Sequence, residues 1–108
     1  MEDLSEKFVA MRKGLLEFAV LRAIAGETLY VAELLKRLAG TEFATQEGTL
    51  YPLLSRLRRE QLVDYEWRES GSGPPRKYYR LTEAGQRALG ELQGYWNHLT
   101  DTLNRIGN

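Results

Sequence analysis

A chain of 108 residues, 43 % of them hydrophobic and 28 % charged, is sized for one globular domain rather than two and is too apolar to stay disordered. It holds no cysteine and a single histidine, His98, which excludes disulfides, thiolate catalysis, iron–sulfur clusters and ordinary zinc sites, so neither a metal nor a cofactor is expected. Lys and Arg total 15, as do Asp and Glu, so affinity for nucleic acid would have to come from local clustering rather than net charge. The apolar runs are short, and the start, MEDLSEKF, is acidic with no apolar core. No membrane span and no secretory leader are expected, which together with the missing cysteines predicts a cytoplasmic protein.

The first predicted element runs from Phe8 to Ala25. Phe8, Met11, Leu15, Phe18, Ala19 and Ala23 recur there at helical spacing, and Leu16, Val20 and Ile24 widen the stripe. A stripe that broad implies a helix covered on more than one side, stopped by Gly26. Thr28 is the expected cap of a second helix carrying Val31, Leu34, Leu35 and Leu38 and ended by Gly40.

Leu50, Leu53, Leu54 and Leu57 mark a third helix whose start falls between 45 and 49. Thr45 is one candidate cap, although Gly48 and Pro52 argue against an unbroken helix from there. With Thr49 as cap, Pro52 would sit in the first turn, where its missing N–H is no loss. Past Leu62 the period changes to two: Val63, Tyr65 and Trp67 alternate with Asp64, Glu66 and Arg68, the pattern of a half-buried strand. Ser70 to Pro75 is loop by composition, and Arg76 to Leu81 reads as a return strand, completing a hairpin. Tyr78 and Tyr79 are adjacent on it and must face opposite sides, one of them the core.

Thr82 caps a last helix in which Gly85, Leu89, Leu92, Trp96, Leu99, Leu103 and Ile106 alternate in steps of four and three. That is an a/d seam, the pattern of a helix that pairs with another. Packing inside its own domain is the alternative. A protruding apolar helix would be a liability for a monomer, which favours a homodimer. The predicted fold is therefore mainly α with a β-hairpin wing: a winged helix-turn-helix over residues 1–82, then a C-terminal dimerisation helix over 83–108, forming one compact unit.

In a winged helix-turn-helix the third helix enters the major groove of double-stranded DNA and the hairpin reaches the adjacent backbone. From Arg56 to Arg80 the chain carries the basic residues Arg56, Arg58, Arg59, Arg68, Arg76, Lys77 and Arg80 against Glu60, Asp64, Glu66 and Glu69. Arg76 and Lys77 sit just past the loop, where side chains reach phosphates and release counterions. Thr45, Gln46, Glu47 and Thr49, followed by Tyr51, Ser55 and Arg56, place hydroxyls, an amide and a cation around the start of the third helix, suited to phosphates and base edges.

The run Glu47-Gly48-Thr49-Leu50-Tyr51-Pro52-Leu53-Leu54, then Arg56-Leu57 and Leu62-Val63, is similar to the signature of the PadR family of bacterial transcriptional regulators. The segment Gly73 to Thr82 with Gly85, and the helix from Leu15 to Ile24, continue the resemblance over about residues 10 to 100, and the single helix after the wing is like the family's small subfamily. The resemblance implies a homodimeric cytoplasmic repressor that binds a two-fold operator. It implies groove contacts from Thr45, Gln46, Thr49, Tyr51, Ser55 and Arg56 and wing contacts from Arg76, Lys77 and Tyr78. It also favours the earlier, kinked start of the third helix. Gln61 departs from the pattern, since the family commonly has glycine there; if that residue is left-handed, glutamine costs about 1 kcal/mol.

Trp96 carries two readings. It can form an aromatic dimer core with the seam residues Leu89, Leu92, Leu99, Leu103 and Ile106. The resemblance also implies an open pore at the dimer centre where Trp96, with Leu15 and Leu89, would stack a planar aromatic, often cationic, small molecule that relieves repression. His98 is expected to face solvent. The rival from another class is a winged-helix module for protein–protein assembly without DNA binding. An enzyme has no support: there is no glycine-rich phosphate loop and no carboxylate pair outside ordinary surface patterns.

Overall fold

The computed structural model describes residues 5–108, in the order α1 (Ser5–Gly26), α2 (Val31–Leu38), α3 (Glu47–Arg59), β1 (Val63–Arg68), β2 (Arg76–Leu81) and α4 (Glu83–Ile106). Residues 1–4, with the acidic start of the chain, lie outside the described residues. One core joins every element. Val20, Leu21 and Ile24 of α1 meet Val31, Leu34 and Leu38 of α2, Leu50, Leu54 and Leu57 of α3, Val63 and Tyr79 of the hairpin, and Leu89 of α4. The broad α1 stripe is covered only in part. Its second half packs into this core, while Phe8, Val9 and Met11 near its start stay exposed.

The second helix begins later than its sequence suggests. Leu29 is an extra rung on the hairpin: its N–H donates to the Tyr79 carbonyl at 3.1 Å and its carbonyl accepts from the Tyr79 N–H at 2.8 Å. That pairing keeps the chain extended past Thr28, so Thr28 does not cap α2. Tyr30 takes the N-cap position, and its N–H donates to the Glu33 carboxylate at 3.3 Å. Gly40, at φ 78°, supplies the left-handed residue just beyond the helix.

The third helix starts at Glu47 with Gln46 as N-cap, so neither Thr45 nor Thr49 caps it. Pro52 lies inside the helix, which begins before it, as the resemblance implied. At the other end Gln61 is left-handed, φ 63°. The Leu62 N–H reaches back to the Leu57 carbonyl and the Gln61 N–H to the Arg58 carbonyl, both at 2.9 Å. These two bonds form a Schellman stop in which glutamine fills the position that favours glycine.

The hairpin pairs Val63 with Leu81, Tyr65 with Tyr79 and Trp67 with Lys77 on one face, and Asp64 with Arg80, Glu66 with Tyr78 and Arg68 with Arg76 on the other. Thr82 then ties three elements together. Its N–H donates to the Leu62 carbonyl at 3.1 Å, its hydroxyl donates to the Gln61 carbonyl at 2.6 Å, and the same oxygen accepts the Gly85 N–H at 3.0 Å to cap α4. Gly85 sits so close to the Leu62 carbonyl that a Cβ there would overlap it, which is why this position holds glycine.

Candidate nucleic-acid interface

With Leu50, Leu54 and Leu57 turned into the core and Leu53 half-buried, helical spacing turns Gly48, Pro52, Ser55 and Arg59 outward as a ridge. Tyr51 and Arg58 lie on the flank beside the wing, and Thr49 and Arg56 on the flank beside α1. The six residues singled out around this helix are thus divided. Gln46 and Ser55 are exposed, and Tyr51, 46 % exposed, shares a cleft of about 460 Å³ with Tyr30, Trp67, Arg76 and Lys77. Thr45 and Thr49 instead line a cleft against α1 with Val9, Arg12 and Phe43.

Arg56 is not a free cation. Its guanidinium stands 3.6 Å from the Glu17 carboxylate of α1 and 3.2 Å from that of Glu60. Several other basic residues are similarly engaged. Arg68 pairs with Glu66 at 2.6 Å, Arg80 with Glu66 at 3.3 Å, and Arg58 with Asp64 at 3.8 Å. The hydrogen bond and charge of Arg68, followed by Arg80, hold the Glu66 carboxyl below its ordinary range. Among the described residues Arg59, Arg76 and Lys77 pair with no carboxylate.

Aromatic rings set the positions of the wing cations. The Arg76 guanidinium lies 4.4 Å over the Tyr30 ring, and Tyr30 meets Tyr78 edge-on with centroids 5.2 Å apart. The Lys77 ammonium stands 4.6 Å from the Tyr65 ring and 5.4 Å from that of Trp67. Such contacts fix a cation without neutralising it. Of the adjacent tyrosines, Tyr79 is the core residue at 5 % exposure, and Tyr78 is half-buried beneath Arg68. Tyr30 escaped the sequence reading because its role depends on the Leu29–Tyr79 pairing, which no local pattern signals. Trp67, 62 % exposed, was visible only as an alternating strand residue.

A second feature lies between α1 and α4. Leu15, Phe18, Ala19, Arg22, Phe43 and Trp96 enclose an open pocket of about 270 Å³. Leu15 and Trp96 were expected at such a site; Leu89 was too, but it belongs to the core and does not line the pocket. Leu92 is likewise half-buried against the core, so the first part of the a/d seam packs within the chain. Farther along, Trp96, Leu99, Leu103 and Ile106 remain exposed, Ile106 at 74 %. His98 is exposed. Among the described residues no group of three or more His, Cys, Asp or Glu could hold a metal, and no helix is long and apolar enough to cross a membrane.

The comparisons agree with this architecture. Residues 20–91 match the model of the transcriptional regulator PadR-like family. A PadR-like transcription factor from Bacteroides fragilis is 43 % identical, with 96 % of this chain and 99 % of that one covered and a TM-score of 0.81. A PadR family transcriptional regulator from Eggerthella lenta is 37 % identical, with 95 % and 90 % covered and a TM-score of 0.86. One from Bacillus cereus is 37 % identical, with 90 % and 95 % covered and a TM-score of 0.77. With a winged helix matched over nearly its whole length to regulators, the chain belongs to the PadR-like family and is a DNA-binding transcriptional regulator, not an enzyme.

Proposed function

We propose that the protein is a cytoplasmic homodimeric repressor that binds a two-fold operator. Residues 1–82 form the DNA-binding unit, and 83–108 the helix through which two copies pair. The observation that carries the DNA-binding part is the cleft in which Tyr51 of α3 lies beside Arg76 and Lys77 of the wing. Recognition helix and wing thereby share one cleft rich in aromatic and cationic side chains, with Glu47 also in its lining. Gln46, Tyr51 and Ser55 read base edges in this account, and Arg76 and Lys77, with Tyr78 beneath, hold phosphates. Thr45, Thr49 and Arg56 contribute from the flank beside α1.

Pairing through α4 is supported by the exposed stripe of Trp96, Leu99, Leu103 and Ile106, which is too apolar to leave in water. The pocket between α1 and α4 then lies at the dimer centre. Trp96 offers a ring face there to a planar aromatic effector whose binding relieves repression.

Selection of bound duplexes from a random-sequence pool tests this reading. The expected outcome is an inverted repeat whose half-sites are spaced by about one turn of DNA or a multiple of it. Enrichment of no sequence, or of a single unrepeated half-site, would contradict it.

A further inference from the structure

We propose that the groove between the C-terminal half of α3 and the neighbouring wing face is a second phosphate-binding surface, in which Arg59 and Arg58 hold the DNA backbone. This goes beyond the contacts proposed above and rests on the reading that α3 and the wing meet one duplex. The groove, about 720 Å³, is lined by Ser55, Arg58 and Arg59 from α3 and by Tyr65 and Lys77 from the wing.

Three observations point to an anion there. Arg59 is exposed at the end of the ridge that carries Ser55 and pairs with no carboxylate among the described residues. The Arg58 guanidinium and the Lys77 ammonium both lie over the Tyr65 ring, at 4.4 Å and 4.6 Å from its centroid. Each contact positions its cation beside the ring without neutralising it, which leaves it able to bind an anion. The charges in the groove favour an anion only narrowly: Arg58, Arg59 and Lys77 line it together with Asp64, which pairs with Arg58 at 3.8 Å and with Arg80 at 4.0 Å, and with Glu83.

The occupant follows from continuity. Lys77 lines this groove and also the cleft that holds Tyr51 and Arg76, so a duplex seated on one extends over the other. A phosphodiester suits the donors, because the planar fork of arginine grips phosphate oxygens in pairs. Such a contact carries no base information and acts on every sequence alike.

The test compares binding of the whole protein to two labelled duplexes, one recovered by selection and one of unrelated sequence, across a salt series. Arg59→Gln and Arg58→Gln are the variants. Arg87→Gln, on the exposed face of α4, is the control. Each groove variant is expected to weaken binding to both duplexes by a similar factor, about three- to tenfold at low salt, and to lower the slope of log affinity against log salt by about 0.9. Arg58→Lys should recover part of the loss.

Unchanged slopes in Arg59→Gln and Arg58→Gln would overturn the proposal while leaving the wing reading intact. A wild-type protein with no salt-dependent binding would overturn both. Arg59 is exposed, so its variant keeps the test sound even if Arg58→Gln disturbs the packing on Tyr65.

Discussion

Glu17 of α1 reaches across to Arg56 of α3, carboxylate to guanidinium, at 3.6 Å, and Glu60 holds the same guanidinium at 3.2 Å from the other side. Both pairs are half-exposed, so each is worth at most about 1 kcal/mol to stability. Their larger effect is on charge: two carboxylates compete with DNA phosphates for the one cation on this flank of the recognition helix. Glu17 also lies two residues after Leu15 and directly before Phe18, both in the wall of the Trp96 pocket.

Glu17→Gln is therefore expected to raise affinity for DNA by about two- to threefold at low salt and to change folding stability by under about 0.5 kcal/mol. Anisotropy titration and thermal melting check the two halves. Affinity that stays the same or falls would mean that Arg56 takes no part in binding.

Gln61 occupies a left-handed position at φ 63°, and the bonds that stop α3 there use only backbone. Gln61→Gly should therefore stabilise the fold by about 1 kcal/mol, and Gln61→Asn by less. Urea denaturation measures this directly. A loss of stability would show that the glutamine side chain makes a compensating contact.

Burial, reinforced by the neighbouring Tyr51 and Tyr65, raises the Tyr79 phenol above its ordinary value near 10. The folded state thus keeps this proton at a pH where the unfolded chain has released it. The resulting contribution is complete below the unfolded pKa and is lost as pH rises through the folded one. Between about pH 9 and about pH 11 the wild type should lose more stability than Tyr79→Phe. Parallel pH profiles would contradict this.

Trp67 is exposed on the wing and Trp96 lies at the pocket, so a Trp67→Phe background isolates the emission of Trp96. Planar aromatic dyes are expected to quench it saturably, and Phe18→Ala in the same background should weaken that binding. If no dye quenches saturably, Trp96 serves pairing alone.

The parts of this fold that sequence made legible are those decided by local chemistry. Four leucines placed α3, alternation placed the hairpin, and Thr82 was recognisable as a cap that the structure shows accepting the Gly85 N–H. Gln61 was marked only by the resemblance, through the glycine the family commonly has there, and the residue is indeed left-handed. What stayed hidden depends on distant pairing. Thr28 loses the cap of α2 because Leu29 is recruited by Tyr79. Arg56 looks free until Glu17 is folded against it. Leu89 fits an a/d seam, yet α4 spends its first turns on the core and only later turns carry an exposed stripe. Periodicity reveals that a face is buried without naming the partner that buries it.

Whether α3 and the wing form one DNA-binding surface is read from the salt dependence of binding to a selected duplex. Wild type is compared with a variant carrying both Arg76→Ala and Lys77→Ala. The double variant is expected to bind all sequences more weakly, with a slope reduced by about 0.9 for each phosphate no longer neutralised, and to retain sequence preference because Gln46, Tyr51 and Ser55 remain. An unchanged slope, or a vanished preference with bulk affinity intact, would contradict it.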